Sequence, residues 1–209
     1  EFISNPMFSY NHNRLKVNEL KAIVSYDVNI YDQHYNTIYG NIRFDKHSPY
    51  IYEWTFKIVG SAWGITIGTT TADITGDIFT KAFHGHFYNG ISNGGYQYSR
   101  LSGGGHNKID AKYPESRGFQ ADDIITMRVD VPNRKITYYL GGFDDDKQSH
   151  YSQDLSFDEF SDYMGRSTMY SDYRMAISLG YPDGNVQLVR FRKMWSTKSV
   201  LNFSTQDYY

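Results

Sequence analysis

The chain has no cysteine, only five prolines, only five glutamates, no basic surplus and no long apolar run. Without cysteine there is no disulfide framework, no thiol nucleophile and no thiolate zinc site. Secreted scaffolds of this composition often carry disulfides, so their absence leans towards a reducing compartment, and a cytoplasmic, intracellular protein is expected. No stretch approaches the roughly 18 apolar residues of a spanning helix, and the first residues lack a signal-peptide pattern. Glu1-Phe2 reads equally as native sequence or as a cloning remnant, and the latter would make the chain a piece of something longer. Lys and Arg number 21 against 23 Asp and Glu, spread along the chain. Neither nucleic acid nor a membrane surface is therefore an expected partner, because both select for a basic cluster. At 209 residues the chain can bury a core unaided, so no cofactor or metal is expected to hold it together.

What is abundant is aromatic: 20 Tyr, 13 Phe and 3 Trp, together with 18 Gly. Tyr and Phe favour strands and Gly favours turns, which predicts an all-β protein. The stretch "FQADDIITMRVDVPNRKITYYLGG", residues 119–142, carries two alternating runs. Ile125, Met127, Val129 and Val131 share one parity, and after Pro-Asn-Arg the pattern resumes at Ile136, Tyr138 and Leu140. Such runs predict half-buried strands, with Arg128 and Asp130 on the outward face. "YIYEWTFKIVG" alternates likewise, with Tyr52, Trp54, Phe56 and Ile58 against Glu53, Thr55 and Lys57. Further strands are expected in "AIVSYDVNI", "NTIYGNIRF", "WGITIGTTT", "FHGHFYNG", "GGYQYSRLSGGG", "YRMAISLG" and "NVQLVRFRK". Residues 1–21 show no sustained period and read as an irregular arm, 22–195 as one sandwich, and 196–209 as a tail. The polar stretch 143–172 reads as loop with one helical turn. Frequent strands with turn signals between them make a single two-sheet antiparallel β-sandwich, expected to be monomeric.

The order of four segments resembles the SPRY family, a concanavalin-like jelly roll. "YIYEWTFKIVG" is similar to its early aromatic strand, with Trp54 at the buried tryptophan, and "GITIGTTT" to the strand that follows. The segment 119–142 is similar to the family's most recognisable hairpin, and "YRMAISLGYPDGNVQLV" to its closing pair. The likeness covers about residues 50–190. Two departures stand out: Asp122-Asp123 replaces a usual Gly-Asp, and Leu140-Gly141-Gly142 replaces the usual Asp before Asn-Gly. No Leu-Asp-Pro or Trp-Glu-Val pair marks the extended form found in tripartite-motif ubiquitin ligases. The resemblance implies a non-catalytic module, part of a larger adaptor or scaffold, that binds a protein or short peptide at one end of the sandwich. It implies a pocket at Thr69, Thr70 and Tyr181, with Tyr98 and Arg100 at the rim. Rigid sheets carrying variable loops agree with that role.

Chemical alternatives are weaker. His84 and His86 share a face if extended, with His106 as a third metal ligand, but no Cys or carboxylate motif accompanies them. Asp144, Asp145 and Asp146 lack the glycine and closing glutamate of a calcium loop. Gly103-Gly104-Gly105 resembles a phosphate cradle, yet no Gly-Lys-Ser/Thr follows. The glutamates, at 1, 19, 53, 115 and 159, put no two on one strand face, as a retaining glycosidase needs. No Gly-x-Ser-x-Gly elbow occurs. A carbohydrate-binding lectin of the same sandwich class is the alternative, with Trp63, Tyr96 and Tyr98 as candidate sugar-stacking rings.

Overall fold

The computed structural model describes residues 15–18, 23–26, 36–71, 89–92, 97–100, 106–109, 119–140, 150–154, 160–161, 167–168, 172–181 and 183–197. Fifteen strands form among the described residues. They are β1 (Leu15–Asn18), β2 (Ile23–Tyr26), β3 (Asn36–Asp45), β4 (Tyr50–Gly60), β5 (Ile65–Thr71), β6 (Asn89–Ser92), β7 (Gln97–Arg100), β8 (His106–Ile109), β9 (Ile124–Asp130), β10 (Lys135–Leu140), β11 (His150–Asp154), β12 (Phe160–Ser161), β13 (Ser167–Thr168), β14 (Asp172–Leu179) and β15 (Gly184–Trp195). A seven-stranded sheet runs in the order β1-β2-β15-β4-β9-β10-β11 and a six-stranded sheet in the order β3-β14-β5-β6-β7-β8. β12 and β13 pair separately. Pairing is antiparallel throughout, and the all-β sandwich expected from the sequence is what forms.

The alternation in β4 sets the core. Tyr52, Trp54, Phe56 and Ile58 are all buried, as are Ile125, Met127 and Val129 of β9 and Ile136, Tyr138 and Leu140 of β10. Ile65 and Ile67 of β5 and Met175, Ile177 and Leu179 of β14 supply the facing layer. Aromatic rings tie the layers together. Phe44 and Tyr173, of the six-stranded sheet, lie 5.9 Å apart, and Phe44 meets Tyr52 of the other sheet at 5.2 Å. Trp54 continues the stack at 6.0 Å from Tyr52 and 5.4 Å from Phe191. Packing of this kind adds to simple area burial.

The hairpin of β9 and β10 turns because Asp130 acts as an acceptor. Its carboxylate takes the Asn133 backbone N–H at 3.1 Å and the Asn133 side-chain amide at 2.9 Å, and Arg134 N donates to Val131 O at 3.0 Å. At the entrance to β9, Asp122 occupies the left-handed region at φ 67°. That conformation is the one glycine adopts without penalty. Asp123 accepts the Gln120 N–H at 2.8 Å. The departure from Gly-Asp therefore changes the residue and keeps a turn geometry that suits glycine.

Two expectations are corrected. Within the arm read as irregular, Leu15–Asn18 forms a strand against β2. An edge strand is held by backbone hydrogen bonds on one side, so it needs no side-chain period to announce it. In the stretch read as loop with a helical turn, His150–Asp154, Phe160–Ser161 and Ser167–Thr168 are strands. β11 pairs with β10 along five residues, a long-range contact that local polarity conceals.

Candidate functional site

Antiparallel pairing decides which of the expected site residues meet. In the β14–β5 ladder Leu179 lies opposite Ile65, Met175 opposite Thr69 and Arg174 opposite Thr70. Tyr181 follows β14, so it stands at the Ile65 end of β5, whereas Thr69 and Thr70 stand near the other end. Five residue steps separate Ile65 from Thr70, roughly 17 Å at the usual rise, and Tyr181 lies beyond the Ile65 end. The pocket expected from Thr69, Thr70 and Tyr181 together is therefore not assembled. Thr69 has the parity of Ile65 and Ile67, and it is fully buried. Tyr98 and Arg100 lie on β7, opposite Lys108 and His106. Tyr98 shares a register row with Gly90 and Gly68, one residue from the row of Thr69, Asn89 and Ser99. Four of the five residues thus gather near one end of the six-stranded sheet, and Tyr181 belongs to the other.

What Tyr181 does meet is Trp63. Their ring centroids are 6.1 Å apart at an interplanar angle of 53°. Trp63 is 63% exposed and Tyr181 37%. Two turns hold them: the connection between β4 and β5 carries Trp63, and that between β14 and β15 carries Tyr181. Gly180 N donates to Gly64 O at 3.0 Å, Ser61 N to Asp183 O at 3.1 Å, and Gly184 N to Tyr181 O at 3.3 Å. Gly64, at φ 72°, lies flat against the tyrosine; a Cβ there would come within 2.5 Å of the ring. Trp63 is one of the three candidate sugar-stacking residues and Tyr181 one of the five candidate peptide-site residues, and the fold makes them one surface. Tyr96, His84, His86, Gly103 to Gly105 and Asp144 to Asp146 lie outside the described residues.

The sequence reading missed Glu53. It lies on the face of β4 turned away from the core, yet its side chain is 1% exposed. Arg128 of β9 and Arg192 of β15 lie directly across from it on either side. Arg128 donates to Oε2 from Nε at 2.9 Å and from Nη2 at 2.8 Å. Arg192 donates to Oε1 from Nε at 2.8 Å and also from Nη2. Arg190 Nη2 stands 3.6 Å from Oε1. Nη1 of Arg128 donates to the Tyr139 hydroxyl at 3.2 Å, and its guanidinium lies 5.0 Å from that ring's centroid. Burial works to lower the Arg128 pKa, but the Glu53 hydrogen bonds and the charges of Tyr139, Glu53 and Asp130 outweigh it and hold the pKa above its ordinary value. The parity of Arg128 and Glu53 was a signal for half of this cluster. The arginines of β15 were hidden by a bulge.

No protein-family model matches the sequence, and no curated protein matches it significantly. Solved structures do match. The SPRY domain of human HERC1 superposes with a TM-score of 0.55 at 13% identity, covering 87% of this chain and 96% of that one. The PSpry domain of TRIM65 gives 0.53 at 9% identity, covering 89% and 90%. The fold is SPRY-like. The exoplasmic/lumenal domain of VIP36, in a Ca2+/Man3GlcNAc-bound form, superposes less well, with a TM-score of 0.47 at 13% identity over 88% and 83% of the two chains.

Proposed function

We propose that this SPRY-like domain is a non-catalytic recognition module that binds a protein or short peptide at the loop end bearing Trp63 and Tyr181. The observation that carries the reading is that pair: two large rings in solvent, on adjoining turns tied by backbone hydrogen bonds. An exposed aromatic loses little conformational freedom on binding and offers a large apolar face, which is why Trp and Tyr dominate binding hot spots. The polar edge of each ring suits a wet rim. Thr70, Tyr98 and Arg100 remain proposed as contributors to a separate surface near the opposite end of the six-stranded sheet, from which Thr69 is withdrawn by its burial. The absence of cysteine supports a reducing, intracellular setting, and the SPRY resemblance is what suggests a part in a larger adaptor or scaffold.

The test is peptide mapping with the purified domain, followed by calorimetry with the mapped peptide and a glycan panel. Trp63→Ala and Tyr181→Ala are each expected to weaken peptide binding by more than about 1 kcal/mol with the fold intact. Unchanged affinity in both variants would remove the site. Saturable glycan binding, lost on Trp63→Ala and competed by free sugar, would replace the peptide reading with the lectin one.

A further inference from the structure

The loop end that carries Trp63 and Tyr181 is acidic. Its turns, residues 61–64, 119–123 and 180–184, hold Asp122, Asp123 and Asp183 and no lysine, arginine or histidine. Two of these carboxylates have partners. Asp123 accepts the Gln120 N–H at 2.8 Å, and Asp122 stands 3.6 Å from Nζ of Lys57 on β4. Asp183 differs from both. It is exposed, and among the described residues its carboxylate enters no salt bridge or hydrogen bond.

The backbone fixes Asp183 beside the ring pair. It follows Tyr181 by two residues, in a turn closed by Gly184 N donating to Tyr181 O at 3.3 Å. Its own carbonyl accepts the N–H of Ser61 at 3.1 Å, two residues before Trp63. Gly60, at φ 83°, permits that approach, because a Cβ there would meet Asp183 O at 2.7 Å. Asp122 lies farther from the rings, with its N–H donating to Ile58 O at 3.0 Å. A ligand that covers Trp63 and Tyr181 therefore settles next to an exposed carboxylate whose charge no described neighbour offsets.

We propose that this end binds a basic segment of a protein partner, with an arginine or lysine side chain laid over the Trp63 and Tyr181 rings and paired with Asp183. The proposal rests on the recognition reading above and names the partner's chemistry. Aromatic faces carry negative potential, so they attract a cation, and tryptophan attracts it most strongly. A carboxylate beside the rings adds to that attraction and fixes the cation's place, whereas it repels an acidic segment. Arginine suits both contacts, since its planar guanidinium stacks on rings and pairs with a carboxylate through two N–H groups. A neutral sugar stacks on the same rings but gains no ion pair from Asp183.

The probe is a library of random peptides displayed on phage and selected on the full chain. Sequences selected by wild type are expected to be enriched in arginine and lysine, and those selected by Asp183→Asn are expected to lose that bias. One selected peptide, made with its arginine and with glutamine in its place, is then titrated into wild type, Asp183→Asn and Trp63→Ala. Asp183→Asn keeps the backbone carbonyl that Ser61 uses. It is expected to weaken the arginine peptide about three- to five-fold and to leave the glutamine peptide unchanged. Added chloride is expected to weaken the arginine peptide on wild type more than on the variant, because salt screens exposed charges. If the variant does not fold, the chloride dependence on wild type decides, and its absence overturns the proposal. Peptides that need Trp63 but show no basic preference, or an arginine peptide that binds Asp183→Asn as it binds wild type, overturn the proposal and leave the recognition reading standing. Failure to select any peptide, or binding indifferent to both rings, removes the recognition reading and this proposal with it.

Discussion

Arg192 lies directly across from Glu53 in the β15–β4 ladder, although Leu188, of the same parity as Arg192, points into the core. A bulge between Leu188 and Arg190 makes this possible. Val189 is the extra residue, and after it the faces exchange: Phe191 packs on Trp54, while Arg190 and Arg192 reach the outer side. An extra residue of this kind re-aims every side chain that follows it.

Removing Glu53 leaves its arginines without their common partner. Glu53→Ala is expected to destabilise the fold by about 2–4 kcal/mol, somewhat discounted from a fully buried pair because the guanidinium groups stay partly solvated. Chemical denaturation measures it, and a double-mutant cycle with Arg192→Ala is expected to show coupling above about 1 kcal/mol. Additive single effects would mean the pair holds little of the sheet together.

Trp54 is the largest of the fully buried side chains, at 1% exposure, and touches the ring network on both sheets. Trp54→Ala is expected to cost about 3–5 kcal/mol, from lost burial and the cavity left behind. A denaturation midpoint equal to wild type would contradict its place between the sheets.

Gly64 is required twice over, by its positive φ and by the Tyr181 ring against it. Gly64→Ala is expected to lower stability by about 1–3 kcal/mol, since an L-residue is strained in that region and the ring must shift. The same variant is expected to disturb peptide binding through Tyr181. Wild-type stability and affinity together would show that the two turns accommodate a methyl group freely.

Alkaline pH offers a separate check. Burial raises the Tyr52 pKa above the ordinary tyrosine value, partly countered by the hydrogen bond with Ser48 and assisted by Asp45 and Tyr50. The folded state therefore holds this proton more tightly than the unfolded chain. That contribution is present below the unfolded value of about 10 and is lost as pH rises through the folded one. Stability measured from pH 9 upwards is expected to fall less steeply in Tyr52→Phe than in wild type. Identical slopes would show that Tyr52 ionises in the fold as it does in the open chain.

Much of the fold was legible in the chain itself. Strict alternation in β4, β9 and β10 determined which side chains enter the core, because a strand has a period of two and one face of each sheet must be dry. The turn at Pro132-Asn133-Arg134 was legible as well, and Asp130, read only as an outward-facing residue, caps it by accepting the Asn133 backbone N–H. The candidate sites depended on relations that no local pattern records. Thr70 lies near the end of one recognisable strand and Tyr181 just past another, yet antiparallel pairing sends the ends of β5 and β14 in opposite directions and parts them. Trp63 and Tyr181, 118 positions apart in number, meet because two turns share one end of the sandwich. Arg190 and Arg192 carry the parity of core residues until the bulge at Val189 turns them outward onto Glu53. Alternation is a property of neighbours along the chain, so sequence determined the core; pairing register and a bulge are properties of neighbours across the sheet, so only the tertiary structure decided which charged and aromatic groups stand together.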